Sequence, residues 1–558
     1  MRARQLFLLT AAFGLASIAM TWPLGRHLWD HVVDARIFGP LGGWWRQDIF
    51  LNLWILAWGT HALSGDPAHW SQGNVLYPMA ESLGGSEHML GYQWLFGPLY
   101  LGTGNPVFAN QSIVLLSFVL TGVAVALLAV ELTASAKAGW LAGFLFAFSP
   151  WRFNELARVQ LLGTFYLPLI VLCLARYRRT GHWPWLAGCA LLLVLQALTS
   201  YYLGYFAFAT VGLLLLPPLW RRELPLRDVL AIAAALAAAV VVLIPFSLPY
   251  VRMRAAGVIP ADPYVDRAAL AFLMSARPWS RFVTPGTELY LGGTAIGLAL
   301  LGCRRMNPEM WPGRASLLAV ALGGYVLALG PAWRVGDVLI PLPYRILGLL
   351  VPGLSAVRYP TRFGLLVVFA VALLAARGAA QLLRALPRSG WQWVVSVLLC
   401  GLLTAAVILE TRIFGAAHIE LEAVPVGEEI PPVYAWLRQH GDGGVCVEVP
   451  VGDDTFPGLL RESWYMYFST YHWLPLVNGF TGHPDPENTA LRAVARRLPE
   501  SEAVAALQSR ADVRWVVVHR GALAPQTRAA WRSAVLPWHQ AAEFSDGAVV
   551  FDLHPQGH

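Results

Sequence analysis

An α-helical polytopic membrane protein carrying a small soluble α/β or α+β domain at its C-terminal end is the fold class this sequence predicts. Three observations carry it. Only 13% of the 558 residues are charged and 57% are hydrophobic, whereas an ordinary soluble domain is about 25% charged. About eleven apolar stretches follow one another up to residue 410. Beyond about residue 420 the charge density becomes ordinary and short alternating runs separated by turns appear.

A spanning helix needs about 20 apolar residues, because the hydrocarbon core is about 30 Å thick and a helix rises about 1.5 Å per residue. The stretches that approach this are 6–24, 106–131, 138–150, 160–176, 184–200, 202–219, 228–248, 289–303, 315–331, 362–383 and 391–410. The first lacks a small-x-small cleavage site and ends in Trp22-Pro23, so it is expected to stay as the first helix. Short cytoplasmic loops collect arginine and lysine. Starting from Arg2 and Arg4, every second loop is basic: Lys137; Arg176, Arg178 and Arg179; Arg221, Arg222 and Arg227; Arg304, Arg305 and Arg314; Arg377, Arg384 and Arg388. The intervening loops, about 25–105, 150–159, 249–288 and 332–361, are rich in Trp, Tyr, Pro and Gly and face outward, as does everything after Glu410.

Two apolar pieces of the first outer loop are too short or too polar to count. The piece 91–104 is interrupted by Pro98 and reads as a re-entrant or interfacial helix. The piece 48–63 repeats Phe50, Trp54, Ala57, Trp58 and Ala62 at helical spacing and reads as a helix on the membrane surface. In the C-terminal part, 434–439 and 500–509 read as helices, and 444–449, 513–519 and 548–553 as strands. The aromatic run 465–473 between them reads as a loop suited to sugar stacking or to core packing. The domains expected are therefore 1–415, with the long first outer loop 25–105, and 416–558.

The net charge of +7 is spread between apolar spans without a basic run, so nucleic acid is not an expected partner. Five cysteines, four of them in or beside apolar stretches, suggest neither a disulfide framework nor a metal motif.

Ionisable groups held at the membrane boundary are costly and mark functional sites by default. Asp48 opens a helix with Asn52 one turn later on the same face, so carboxylate and amide can address one site; the plainer alternative is that Asp48 caps its helix. Glu87-His88 follows Gly84-Gly85-Ser86, where Ser86 and Glu87 alternatively start the next helix. In the second outer loop Arg152, Glu155, Arg158 and Gln160 lie against the membrane, and Arg358 and Arg362 flank Tyr359-Pro360-Thr361 at a helix start. Guanidinium forks match phosphate oxygens, and a helix N-terminus adds backbone donors. Salt bridging to Glu155 or to lipid headgroups is the competing use. Tyr201-Tyr202, in a tight turn, reads as an interface anchor.

One helix, a long outer loop with an acid near its start, alternating basic loops and an outer C-terminal domain resemble the GT-C superfamily of membrane glycosyltransferases. The segment Asp48-x-x-Leu51-Asn52-x-Trp54 and the step Ser86-Glu87-His88 look like those of poorly characterised bacterial members, although many relatives carry a doubled acid where Asp48 stands alone. The resemblance implies a polyprenyl-phosphate-linked sugar as donor and transfer to an acceptor on the external face of the cytoplasmic membrane. It makes Asp48 the loop acid, Glu87 or Glu155 the second acid, and Arg152, Arg158, Arg358 and Arg362 the candidates for the donor phosphate; with Asp48 and Glu87 taken as catalytic, Asn52, His88 and Glu155 join those arginines in the substrate-binding set. No cofactor is called for and no metal ligands are assigned, a divalent metal being left open. Membrane lipid and a lipid-linked donor are the expected partners. The alternative is a noncatalytic membrane assembly protein, whose outer acids and arginines pair with one another, or a transporter, for which no repeated halves are visible.

Overall fold

The computed structural model describes residues 3–34, 45–259, 278–304, 311–335, 338–387, 390–414 and 419–555. Arg2, Arg305, Arg388 and the middle of the stretch 249–288 lie outside the described residues.

All eleven apolar stretches fold as helices, but not to equal length. Seven are long and apolar enough to cross a membrane: Ala3–Met20, Pro106–Thr133, Val159–Thr180, Tyr201–Trp220, Leu226–Ala255, Pro360–Arg384 and Gln392–Arg412. The other four, Ala136–Ala147, Trp183–Thr199, Gly293–Arg304 and Arg314–Ala328, have 12, 17, 12 and 15 residues. They rise only about 18 to 26 Å at about 1.5 Å per residue, so the expected count of eleven full crossings reduces to seven by length. Helices Ala3–Met20, Leu226–Ala255 and Gln392–Arg412 are at most 22% buried across their most apolar windows, although they carry Leu15, Val241, Leu398 and Leu402 on their surface. Apolar side chains left exposed in this density require a lipid solvent. The chain is a multi-pass membrane protein.

The chain divides into two compact units, 1–26 with 112–246 and 261–420, and 27–111 with 247–260 and 421–558. In the first unit the helix Gly364–Arg384 is the most enclosed, 89% of its span window being buried. Small residues let its neighbour Gly293–Arg304 approach to backbone contact. A Cβ on Gly378 would strike the Leu298 carbonyl, and one on Gly302 the Leu374 carbonyl. In a lipid solvent, where burial of apolar surface no longer drives helices together, this close packing is what holds them. A hairpin, β2 (Ala332–Val335) and β3 (Val338–Pro341), lies between helices of this unit.

The second unit contains a four-stranded mixed sheet. β5 (Val445–Val449) runs parallel to β6 (Val513–His519), which pairs antiparallel with β8 (Ala548–Asp552), and β8 in turn with β7 (His539–Glu543). Val447, Val516, Val518 and Val549 form its core with Leu491, Leu507 and Trp531 from the covering helices. A smaller ladder pairs β1 (His31–Val33) with β4 (Leu421–Ala423). The first part of the run 465–473 is not a loop: helix Phe456–Ser469 carries Tyr465, Met466, Tyr467 and Phe468, all buried, so core packing and not sugar stacking is the role of these four. This helix packs on Arg46–Ser64, with Phe50 and Trp464 rings 4.0 Å apart. That helix is buried on nearly every face, with Phe50, Leu53, Trp54, Ile55 and Leu56 at 1% exposure or less, so it is a core element of this unit and not a surface helix. The piece 91–104 is a single short helix, Gln93–Thr103, with Pro98 inside and left-handed Gly104 ending it.

Two glycine substitutions test the close approach. Gly378→Ala is expected to destabilise by about 1–3 kcal/mol, since backbone cannot move aside. Gly297→Ala, where nothing lies within 4 Å, is expected to stabilise by about 0.5–1 kcal/mol through helix propensity alone. Thermal unfolding of the detergent-solubilised chain reads both.

Candidate functional site

Within the second unit, Asp48 is the third residue of its helix and half-buried. Trp45 holds the N-cap position and makes no side-chain cap bond, so Asp48 is not the N-cap residue. Its negative charge still lies in the first turn, where the helix field favours it. Arg46 beside it pairs with Glu422, which fixes the helix entry on β4. Asn52, one turn on, is buried. The rest of the helix is tied down by the loop that follows it. Trp54 Nε1–H donates to Asn74 Oδ1 at 2.9 Å, and Asn74 donates to the Leu474 carbonyl at 3.1 Å. Trp58 donates to the Trp70 carbonyl at 2.9 Å, while His61 stacks on Trp473 at 4.3 Å.

Glu87 is half-buried and His88 fully so, in an extended stretch that leads to left-handed Met89. Ser86 and Glu87 therefore start no helix. His88 Nδ1 accepts from the Leu90 N–H at 3.2 Å, and its ring meets Trp70 edge-on at 5.0 Å and Tyr250 at 6.4 Å. Burial drives its pKa down to about 3, because a low-dielectric surround disfavours the cation. At neutral pH His88 is an uncharged ring and offers no positive charge to a phosphate. The Tyr250 hydroxyl donates to the Ser86 carbonyl at 2.8 Å, and Arg252 pairs with Glu81 at 2.8 Å, so the residues 247–259 brace this stretch.

Within the first unit, Glu155, Arg158 and Arg362 come together. Arg158 donates to Glu155 Oε2 at 2.7 Å, and Arg362 reaches both Glu155 oxygens at 3.3 Å. All three side chains are at most 11% exposed. Burial pushes the Glu155 carboxyl up, but the guanidiniums of Arg362 and Arg158 outweigh it and hold the group below its ordinary value. Arg362 also lies over the Tyr359 and Tyr202 rings at 4.9 and 5.4 Å. Tyr202 accepts from the Arg358 backbone N–H at 3.3 Å; its contacts are with this cluster, where the sequence suggested an interface anchor. The Arg358 side chain is exposed.

Arg152 is completely buried. It donates to the Leu162 carbonyl and Ser117 Oγ, each at 2.8 Å, and to Thr164, with the Phe118 ring 4.6 Å from the guanidinium carbon. Ser117 and Thr164 escaped sequence reasoning, which named Tyr202 and Tyr359 but gave them no part in the Glu155 cluster. For Ser117 a signal existed: Asn110, Gln111, Ser117 and Thr121 are polar residues in the first half of a largely apolar helix, and all four are buried.

Among the described residues, the side chains whose donor atoms converge as a metal site would require are His27, Asp30 and His31. Asp48, Glu87 and His88 do not form such a group.

Residues 111–408 match the family model described as Domain of unknown function (DUF6311), which is more than half of the chain. The chain belongs to this family. The DUF6311 match contains Arg152, Glu155, Arg158, Arg358 and Arg362, whereas Asp48, Asn52, Glu87 and His88 precede it. No curated protein matches the chain. Among solved structures, a mutant of the arabinofuranosyltransferase AftD from mycobacteria aligns over 100% of this chain and 42% of its own, at 15% identity and a TM-score of 0.57. The parent AftD aligns over 100% and 40%, at 15% identity and 0.55. The oligosaccharyltransferase AglB from Archaeoglobus fulgidus aligns over 92% and 69%, at 12% identity and 0.45. The DUF6311 chain spans about two-fifths of AftD's length, and the likeness to AftD is one of fold: GT-C-like.

Two outcomes follow for stability. Glu155→Gln leaves two buried guanidiniums facing a neutral amide, and a loss of about 3 kcal/mol is expected in thermal unfolding. His88 takes up its proton less readily folded than unfolded. Its contribution is therefore complete above pH about 6.5 and falls by up to about 1.4 kcal/mol per pH unit below that. Melting temperatures recorded between pH 7.5 and 5 are expected to drop in wild type and to drop less in His88→Gln.

Proposed function

We propose that the chain is a membrane glycosyltransferase moving a sugar from a polyprenyl-phosphate donor to an acceptor hydroxyl. Transfer takes place on the external face of the cytoplasmic membrane, where the C-terminal domain resides. The observation that carries this reading is a half-buried Asp48 carboxylate at the first turn of a helix enclosed by the first long loop, in a chain whose fold is GT-C-like.

The chemistry asks little more of the protein. As the acceptor oxygen bonds to the anomeric carbon, Asp48 takes the hydroxyl proton, and the bond from that carbon to the phosphate oxygen breaks with its electron pair leaving on phosphate. The leaving group is a stable anion, so no general acid is needed and cations to receive its charge suffice. In the first unit Arg358 is exposed, Arg362 shares its charge with Glu155, and Arg152 and Arg158 are engaged within the protein. Asn52 and the neutral His88 ring are the substrate-binding residues of this reading, and Glu87, half-buried, is its second acid.

One observation favours a second reading. Glu155 shared between Arg158 and Arg362 is the mutual pairing expected of a noncatalytic assembly protein. Radiolabelled transfer from a polyprenyl-phosphate sugar, with purified chain and envelope acceptor, separates the two. Wild type is expected to transfer label and Asp48→Asn to lose at least about 100-fold with unchanged melting temperature. Equal turnover in the Asn variant removes Asp48 from the reaction, and no transfer by wild type supports the second reading.

A further inference from the structure

We propose that His27, Asp30 and His31 form a binding site for one divalent transition-metal cation of the zinc class. The three residues follow the first apolar helix, and a turn at Leu28–Asp30 folds His27 back toward His31. The two imidazole rings lie 4.5 Å apart, and His31 Nδ1 is 2.7 Å from Asp30 Oδ1. One nitrogen from each ring and one carboxylate oxygen all fall within 4.8 Å of one another.

An imidazole–carboxylate hydrogen bond on a partly exposed turn is common as plain structure. Two features go further here. The first is a third donor: His27 adds no bond to the Asp30–His31 pair, yet its ring is held against His31. The second is a fixed backbone. His31 opens β1 and pairs with Ala423, and the Asp30 carbonyl accepts from the Val424 N–H at 2.7 Å. Asn105 donates to the Trp29 carbonyl at 2.7 Å, and the Trp29 ring rests on Phe108 at 5.3 Å. The donors are thus presented by a segment already ordered, so a cation need not order it, and the entropic cost of binding is reduced.

The donor set decides the metal. Magnesium and calcium prefer oxygen ligands, in larger numbers than one carboxylate supplies. Two imidazoles with one carboxylate suit zinc, which takes four ligands in a tetrahedron, and here the fourth position is left to water. The half-exposed Asp30 side chain leaves the site open to the aqueous side. Bound metal would clamp the segment 27–33 onto β4.

The test uses the full chain in detergent, stripped with chelator and titrated with zinc chloride against a chromophoric competitor. One tight zinc per wild-type chain is expected, absent from His27→Asn/His31→Asn and at least tenfold weaker in Asp30→Asn. Cobalt added to wild type should give the intense visible absorption of a tetrahedral site. If the double variant loses its folded elution profile, the affinity of Asp30→Asn decides alone, since that change sits on a half-exposed side chain. Zinc stoichiometry and affinity equal in all three chains, or a wild type that takes up magnesium or manganese in preference to zinc, overturns the proposal.

Discussion

Hydrocarbon cannot hydrogen-bond the backbone, and everything else in this structure follows from that constraint. Each lipid-facing segment must satisfy its own N–H and C=O groups, so the apolar stretches are helices throughout. Among the described residues, Glu155, Arg158 and Arg362 pair with one another, and Arg377, inside helix Gly364–Arg384, donates to the Pro312 carbonyl. The exposed leucines and valines of Leu226–Ala255 and Gln392–Arg412 state the constraint from the outside. The Gly302–Gly378 approach states it from the inside, because close backbone contact replaces the water-driven force that packs soluble helices.

A cation near the membrane boundary is retained only where the surroundings pay for it. Arg152 does so with two carbonyl or hydroxyl acceptors at 2.8 Å, a threonine and a ring face. Arg158 and Arg362 do so by sharing Glu155. The shared carboxylate leaves that cluster with one net positive charge. The second unit solves a similar problem in its core. Glu448, buried, accepts from the Tyr434 hydroxyl at 2.8 Å and lies 2.7 Å from His519 Nε2.

Helices were legible in the sequence because lipid solvent leaves long apolar runs, and β6 was legible to the residue because Val513–His519 is β-branched and bounded by turns. Helix length was less legible. The 12 residues of Ala136–Ala147 carry the same composition as a full span, and only the caps at Ser135 and Phe148 shorten it. Helix Phe456–Ser469 was hidden because its aromatic and polar residues, buried on several faces, show no clean amphipathic period. Candidate residues were found by type, but their partners were not. Arg362 and Glu155 are 207 positions apart, and nothing local in either segment announces the other. His27, Asp30 and His31 stood together in sequence, yet their convergence depends on a turn and on a strand nearly four hundred residues away.

The central claim is that the bilayer divides the chain so that the C-terminal domain and the long first loop share the external side while the basic loops stay in the cytosol. Cysteine labelling tests it most directly, since four of the five native cysteines are buried. Val535, 97% exposed in the C-terminal domain, and Arg227, exposed at the start of helix Leu226–Ala255 beside a basic loop, are each replaced by Cys and treated in intact cells with a membrane-impermeant thiol reagent. The account requires Val535→Cys to be labelled in intact cells and Arg227→Cys only after permeabilisation. The reverse pattern would place the domain in the cytosol and contradict it.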